Sequence, residues 1–216
     1  DIKKNLIIFD FDGVIADTSC DIANAVIKTQ QHFGVPVMEK DEIISHVGFG
    51  AKYLMEHTIV GCTCDIDEVT AWYCNCFYEN CIVKTKLYPG FKETITELSD
   101  VGCTMCVVTN KPQKVAERSL EILGIRGFFD VVMCPENTPN PKPAPDGLLF
   151  CMFLTGIAPE NTIMVGDSAS DIEAGKAAGV YTCGVLYGIG NREKLLSAGA
   201  DVYVKSASEI KEVILK

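Results

Sequence analysis

Four aspartates, one lysine and a Thr-Asn pair stand where apolar runs of this chain stop. Leu6-Ile7-Ile8-Phe9 ends in Asp10-Phe11-Asp12-Gly13, and the run closing at Val108 is followed by Thr109-Asn110. Thr162 to Val165 runs into Gly166-Asp167-Ser168, with Asp171 one helical turn on, and Lys142 sits in a proline-rich loop. Carboxylates gathered this densely repel one another and any anion, so the set is intelligible only around a cation. Oxygen donors without His or Cys favour a hard ion, and Mg2+ is the usual one where phosphate is also bound. The chemistry implied is metal-assisted phosphoryl transfer. Asp10 and Asp12, two apart at a strand end, face the same side while Phe11 points away, and Gly13 permits a tight turn beside them.

The elements that must position these residues follow from the spacing of apolar side chains. A continuous apolar run such as 6–9 reads as a strand buried on both faces. After it, Asp17 or Thr18 is placed to cap a helix whose apolar positions Ile22, Val26, Ile27 and Phe33 keep helical spacing up to Gly34. Further helices are predicted at about 40–47, 51–60 and 65–84, the last with Val69, Trp72, Tyr73, Cys76 and Phe77 on one face. No strand is expected between Val14 and Lys84. From Tyr88-Pro89-Gly90 onward, strands at 103–109, 131–133, 162–165, 182–186 and 202–204 alternate with helices, and five prolines from Pro135 to Pro145 mark a rigid loop. The expected fold is α/β: a doubly wound, Rossmann-like parallel sheet built from 1–14 and 85–216, with an α-helical domain inserted at 15–84. Ligands bind such a sheet beyond the C-terminal ends of its strands, where the polar residues lie.

Composition narrows the partners. The 216 residues are 48% hydrophobic, and 19 basic against 29 acidic side chains leave a formal charge of −10, which repels nucleic acid and anionic membrane surfaces. No apolar run approaches the roughly 20 residues of a membrane span, and no targeting segment is visible. The expectation is a cytoplasmic protein, monomer or homodimer, acting on a small phosphorylated metabolite, with no nucleic-acid or membrane partner. The 11 cysteines read as reduced thiols, because Cys62/Cys64 and Cys74/Cys76 lack the two-residue gap usual in zinc sites. His32, His46 and His57 all fall in the insertion and are given structural or solvent roles; Trp72 and Tyr73 are expected in its core. Gly48-Phe49-Gly50 lacks the third glycine of a dinucleotide fingerprint, and no P-loop is present.

Taken together, the motifs resemble the haloacid-dehalogenase superfamily of phosphohydrolases, within it the phosphoglycolate-phosphatase-like group with a helical cap. Asp10-Phe11-Asp12-Gly13-Val14 is similar to that family's first motif, Val108-Thr109-Asn110-Lys111-Pro112 to the second, Lys142-Pro143 to the third, and Gly166-Asp167-Ser168 through Asp171 to the fourth. Val14 stands where many members have Thr. The resemblance implies that Asp10 is the nucleophile and that Asp12 protonates the leaving oxygen and then activates water. It implies that Thr109 and the backbone of Asn110 hold phosphate, and that Lys142 neutralises phosphate and Asp10. The metal set it implies is Asp10, Asp12 (through its carbonyl), Asp167 and Asp171 around Mg2+, with Asp171 acting on metal-bound water or on Lys142.

The implied substrate is a small, 2-phosphoglycolate-like monoester. The segment 47–52 resembles the group's specificity loop, where Lys52 suits a substrate carboxylate or is a solvated helix-start lysine. The alternatives are a sugar-phosphate mutase, a pyrophosphatase, or a non-catalytic protein that binds a phosphometabolite. Asp10 and Asp12 together favour turnover over binding alone.

Overall fold

The computed structural model describes residues 4–216. Its strands are β1 (Leu6–Phe9), β2 (Ala16–Asp17), β3 (Lys86–Leu87), β4 (Thr104–Val108), β5 (Val131–Met133), β6 (Thr162–Gly166), β7 (Tyr181–Val185) and β8 (Val202–Val204). Between β2 and β3 lie α1 (Ser19–His32), α2 (Lys40–Ile44), α3 (Ala51–Thr58) and α4 (Ile66–Glu79). After β3 come α5 (Phe91–Asp100), α6 (Gln113–Ile122), α7 (Asp146–Thr155), α8 (Ala169–Ala177), α9 (Arg192–Ala198) and α10 (Ala207–Leu215). Six strands form one sheet in the order β5-β4-β1-β6-β7-β8, every neighbouring pair parallel.

The uninterrupted apolar stretch of β1 has its explanation in the two layers of helix. Ile7 and Phe9 join a cluster with Phe91, Ile95 and Leu98 of α5 and Ile210 and Ile214 of α10. Leu6 and Ile8 point the other way, into Leu148, Cys151 and Met152 of α7 and Ala174 of α8. From β1 the chain winds outward through β4 and β5, then returns to build β6, β7 and β8 on the opposite side. The winding therefore reverses at β1, and the crevice that a doubly wound sheet opens at such a point lies above the ends of β1, β4 and β6.

Helices α1 to α4 gather around their own apolar cluster, including Ile22, Val26, Met55, Val69, Tyr73 and Phe77, to which α6 contributes Val115. The chain enters and leaves this bundle side by side: β2 and β3 pair antiparallel, Ala16 with Leu87 and Asp17 with Lys86. The expectation of no strand between Val14 and Lys84 is thus corrected. A two-residue strand carries no readable periodicity.

The final helix of the bundle also ends earlier than its apolar pattern suggests, at Glu79 instead of residue 84. The buried carboxylate of Asp21 on α1 accepts hydrogen bonds from the N–H groups of Val83, Lys84 and Thr85 and from the Thr85 hydroxyl, which draws the chain out of the helix. Burial pushes the Asp21 pKa up, but the Thr85 hydroxyl and the three N–H donors outweigh it and hold the carboxyl below its ordinary value. A depressed folded-state pKa means the unfolded chain takes the proton more readily. The stabilisation is therefore present above the unfolded value of about 4 and lost as pH falls through the lower folded value. Asp21→Asn is expected to cost roughly 1–3 kcal/mol at neutral pH and to flatten the decline of Tm between about pH 5 and 3; thermal melts of both proteins across that range check it.

Among the described residues no helix is long and apolar enough to cross a membrane. Among the described residues no cysteine is joined in a disulfide, and Cys81, Cys106, Cys134, Cys151 and Cys183 are buried.

Candidate active site

The end of β1 delivers the first carboxylate. Asp10 N–H donates to the Val165 carbonyl at 3.0 Å, extending the ladder between β1 and β6 by one residue and leaving the side chain at the sheet's C-terminal edge. Its Oδ1 accepts from Phe11 N–H at 2.7 Å. The chain then turns at Gly13, whose φ is +80°. A Cβ there would fall 1.9 Å from Asp167 Oδ2, so any other residue would evict that carboxylate.

The end of β6 delivers the other two. Asp171 closes a capping box at the start of α8: its Oδ2 accepts from the N–H of Asp167 and of Ser168 and from the Ser168 hydroxyl. Asp167 Oδ2 accepts from Ile189 N–H and Gly190 N–H, both at 2.9 Å. Lys142 reaches across from the proline-rich loop, its ammonium 3.0 Å from Asp10 Oδ1 and 2.7 Å from Asp171 Oδ1. Asn110, at the end of β4, sets that loop in place. Its Oδ1 accepts from Lys142 N–H and its Nδ2 donates to the Lys142 carbonyl and to the carbonyl of Gly48 in the helical bundle.

Oxygens of Asp10, Asp167 and Asp171 lie within 4.8 Å of one another, facing a single ammonium. Burial and the Asp171 charge push the Asp10 pKa well up against the opposing pull of Lys142. Burial and Asp171 likewise push Asp167 up to about 7, though Gly190 and Ile189 N–H and Lys142 act against them. Burial alone would lower Lys142, but Asp10 and Asp171 outweigh it and hold the ammonium above its ordinary range. After burial, the crowding of Asp171 against Asp10 and Asp167 is the next cause of both carboxylate shifts. An all-oxygen donor set that lacks one cation fits a small hard divalent ion.

The structure brings Asp10, Thr109, Asn110, Lys142, Asp167 and Asp171 together as the sequence suggests. Both oxygens of Asp171 are engaged, by Lys142 and by the capping box, so its contribution is to hold that lysine and to charge the site. The Asp12 carboxylate stands apart from the three-carboxylate group. Its Oδ1 accepts from Thr18 Oγ1 at 2.6 Å and from Lys111 Nζ at 2.9 Å. Thr18 precedes α1 without its hydroxyl capping the helix, because that hydroxyl is committed to Asp12.

Lys52 requires a correction. It is 55% exposed and pairs with Asp67 on α4 at 2.9 Å, and it does not line the cavity above the carboxylates. That cavity, of about 60 Å3, lies between sheet and bundle. Val47, Gly48, Gly50 and Ala51 of the 47–52 segment do face it, as do Tyr73 and Phe77, which sequence reasoning placed only in the bundle's core. Lys111, quoted within the second motif but given no role there, has its ammonium buried against Asp12 and over the rings of Phe11 and Phe77. A lysine directly after the Thr-Asn pair at a strand end was the available signal.

Residues 7–185 match the haloacid dehalogenase-like hydrolases. The chain belongs to that family. Among curated haloacid dehalogenase-like relatives, the phosphoglycolate phosphatase of Chromobacterium violaceum is 31% identical over 95% of this chain and 94% of its own. The N-acetylmuramic acid 6-phosphate phosphatase of Pseudomonas aeruginosa is 30% identical over 99% and 96%. A crystal structure from Haemophilus somnus, named a predicted phosphoglycolate phosphatase, superposes with a TM-score of 0.92 at 25% identity, covering 97% of each chain. The fold, sheet and inserted helices included, is that of the haloacid dehalogenase-like hydrolases.

Proposed function

We propose that this haloacid dehalogenase-like hydrolase is a Mg2+-dependent phosphatase of small phosphate monoesters, with 2-phosphoglycolate as the substrate type. The observation that carries the reading is the three-carboxylate, one-lysine group beside a fourth, separately held aspartate, Asp12, on one cavity of about 60 Å3. Space of that size holds roughly four to six waters, which suits an ester of few atoms. The helical insertion 15–84 acts as a cap over the site, tied to the sheet domain by the Asn110–Gly48 hydrogen bond.

Asp10 would attack phosphorus through one carboxylate oxygen, forming an acyl-phosphate bond as the ester P–O bond breaks. Phe11 N–H and Lys142 fix its Oδ1, while Oδ2 makes no hydrogen bond among the described residues. Asp12 would give its proton to the departing alkoxide and then take one from the water that hydrolyses the acyl phosphate, so two easier displacements replace one. The Thr109 hydroxyl and the backbone of Asn110, buried at the end of β4, would hold phosphate oxygens. Asp10, Asp167 and the Asp12 carbonyl would hold Mg2+, which supplies charge for the phosphoryl oxygens. Phe77 and Tyr73 would close the apolar side of the cavity and exclude bulk water. A reducing, cytoplasmic setting belongs to the proposal, since exposed thiols such as Cys64 persist in that state there.

The test is turnover by purified protein of a panel of phosphomonoesters and pyrophosphate, with Mg2+, with Ca2+ and with chelator. Mg2+-dependent phosphate release from 2-phosphoglycolate is expected, abolished by chelator and competed by Ca2+, which demands more ligands at longer distance. Unchanged rates in chelator, or pyrophosphate as the best substrate, would overturn the reading.

A further inference from the structure

Asp10, Asp12 and Lys142 account for making and breaking the phosphoryl bonds, and they leave unused a buried charge beside Asp12. Lys111 has a side chain 3% exposed, and among the described residues lining the cavity it is the sole cation. An ammonium has three N–H donors; among the described residues this one makes a single hydrogen bond, to Asp12 Oδ1. Its remaining surroundings are aromatic, with the ring centre of Phe77 at 4.5 Å and that of Phe11 at 5.4 Å. Ring faces attract a cation and fix its position, yet they offer no oxygen to receive a proton. Phe77 comes from the helical bundle and Phe11 from the loop after β1, so the ammonium is held at the seam where the two halves meet.

We propose that Lys111 selects the leaving group, by pairing with a carboxylate carried on the carbon next to the ester oxygen. The inference rests on the phosphatase reading and specifies its substrate class. In that reading Asp12 contacts the ester oxygen as the bond breaks, and Lys111 lies 2.9 Å from Asp12. An anionic group one carbon removed from that oxygen falls within reach of the unused donors. A neutral leaving group gives them nothing, and a buried ammonium short of acceptors in a small, water-poor space discriminates strongly between the two. The cation that reads the substrate's acid thus comes from the sheet domain, not from the cap surface where Lys52 lies.

The experiment compares wild type with Lys111→Met, which keeps an unbranched apolar stem between the two rings, and with Lys111→Arg, which keeps the charge. The ratio of kcat/KM for 2-phosphoglycolate to that for 2-hydroxyethyl phosphate should fall on the order of 30-fold in Lys111→Met and much less in Lys111→Arg. Equal loss on both esters would overturn the proposal and leave Lys111 as a group that only positions Asp12. Binding supplies a second measurement independent of turnover. By calorimetry, wild type should bind 3-phosphonopropionate, the non-hydrolysable carboxylate analogue, more tightly than propylphosphonate, and Lys111→Met should erase the difference. Equal wild-type affinity for the two phosphonates would sink the selector role even if hydrolysis proceeds. Selective binding without hydrolysis of any ester would sink the phosphatase reading and leave Lys111 as the carboxylate's partner.

Discussion

Asp10→Asn should release phosphate at least about ten-thousandfold more slowly than wild type, the scale on which removal of a covalent nucleophile acts. The amide nitrogen cannot attack phosphorus, and the amide oxygen is too weak a donor to replace a carboxylate beside the metal. The same variant should keep or raise its Tm in metal-free buffer. Burial and Asp171 already hold the Asp10 carboxyl well above its ordinary pKa, so a neutral side chain of the same shape removes repulsion. A site that becomes calmer as it becomes inert is the expected signature of charges assembled for catalysis. Steady-state phosphate release and a thermal melt on one preparation check both halves. Activity within tenfold of wild type would remove Asp10 from the nucleophile's position.

Asp12→Asn should slow turnover by about a hundred to ten thousandfold on alkyl esters, the range in which a positioned acid contributes. On an aryl phosphate, whose leaving oxygen needs little help from a proton, the loss should be markedly smaller. The asparagine Oδ1 can still accept from Thr18 and Lys111, so the geometry survives while the proton transfer does not. Comparing kcat/KM for 2-phosphoglycolate and an aryl phosphate measures the difference. Identical losses on both would mean that Asp12 acts by charge or position alone.

The contrast between Lys52 and Lys111 shows what a sequence exposes and what it hides. Asp10, Thr109, Asn110 and Asp167 were legible because each follows the last residue of a buried strand, and parallel strands put their C-terminal ends on one rim. The alternation of strand and helix after Tyr88 fixed that arrangement before any contact was known. Lys52 lies in the right segment, but Ala51 at the start of α3 faces the cavity and successive residues of a helix are turned by about 100°. The next side chain therefore points to Asp67 on the outer surface. Lys111 gains its meaning only from partners remote in sequence, Asp12 and Phe77, and no local period reports such a meeting. The short pairing of β2 with β3 and the early end of α4 were hidden for the same reason. Each depends on contacts between chain segments that the insertion separates, among them the hydrogen bonds from 83–85 to Asp21.

The central place of β1 also bears on how the chain acquires its structure. Leu6 pairs with Thr104 on one side and with Thr162 on the other, so the strand that precedes all others finds both neighbours only after the whole insertion, and then most of the sheet, has been traversed. Pairings between such remote partners are slow to form, because loop closure must be met before they repay it. The helices of the insertion contact one another over short separations and can organise in the meantime. Until β6 arrives, the four apolar residues of β1 keep one backbone edge without its partner. That interval is when the chain is most liable to self-association, and its hazard comes from the same strand that later carries Asp10 at its tip.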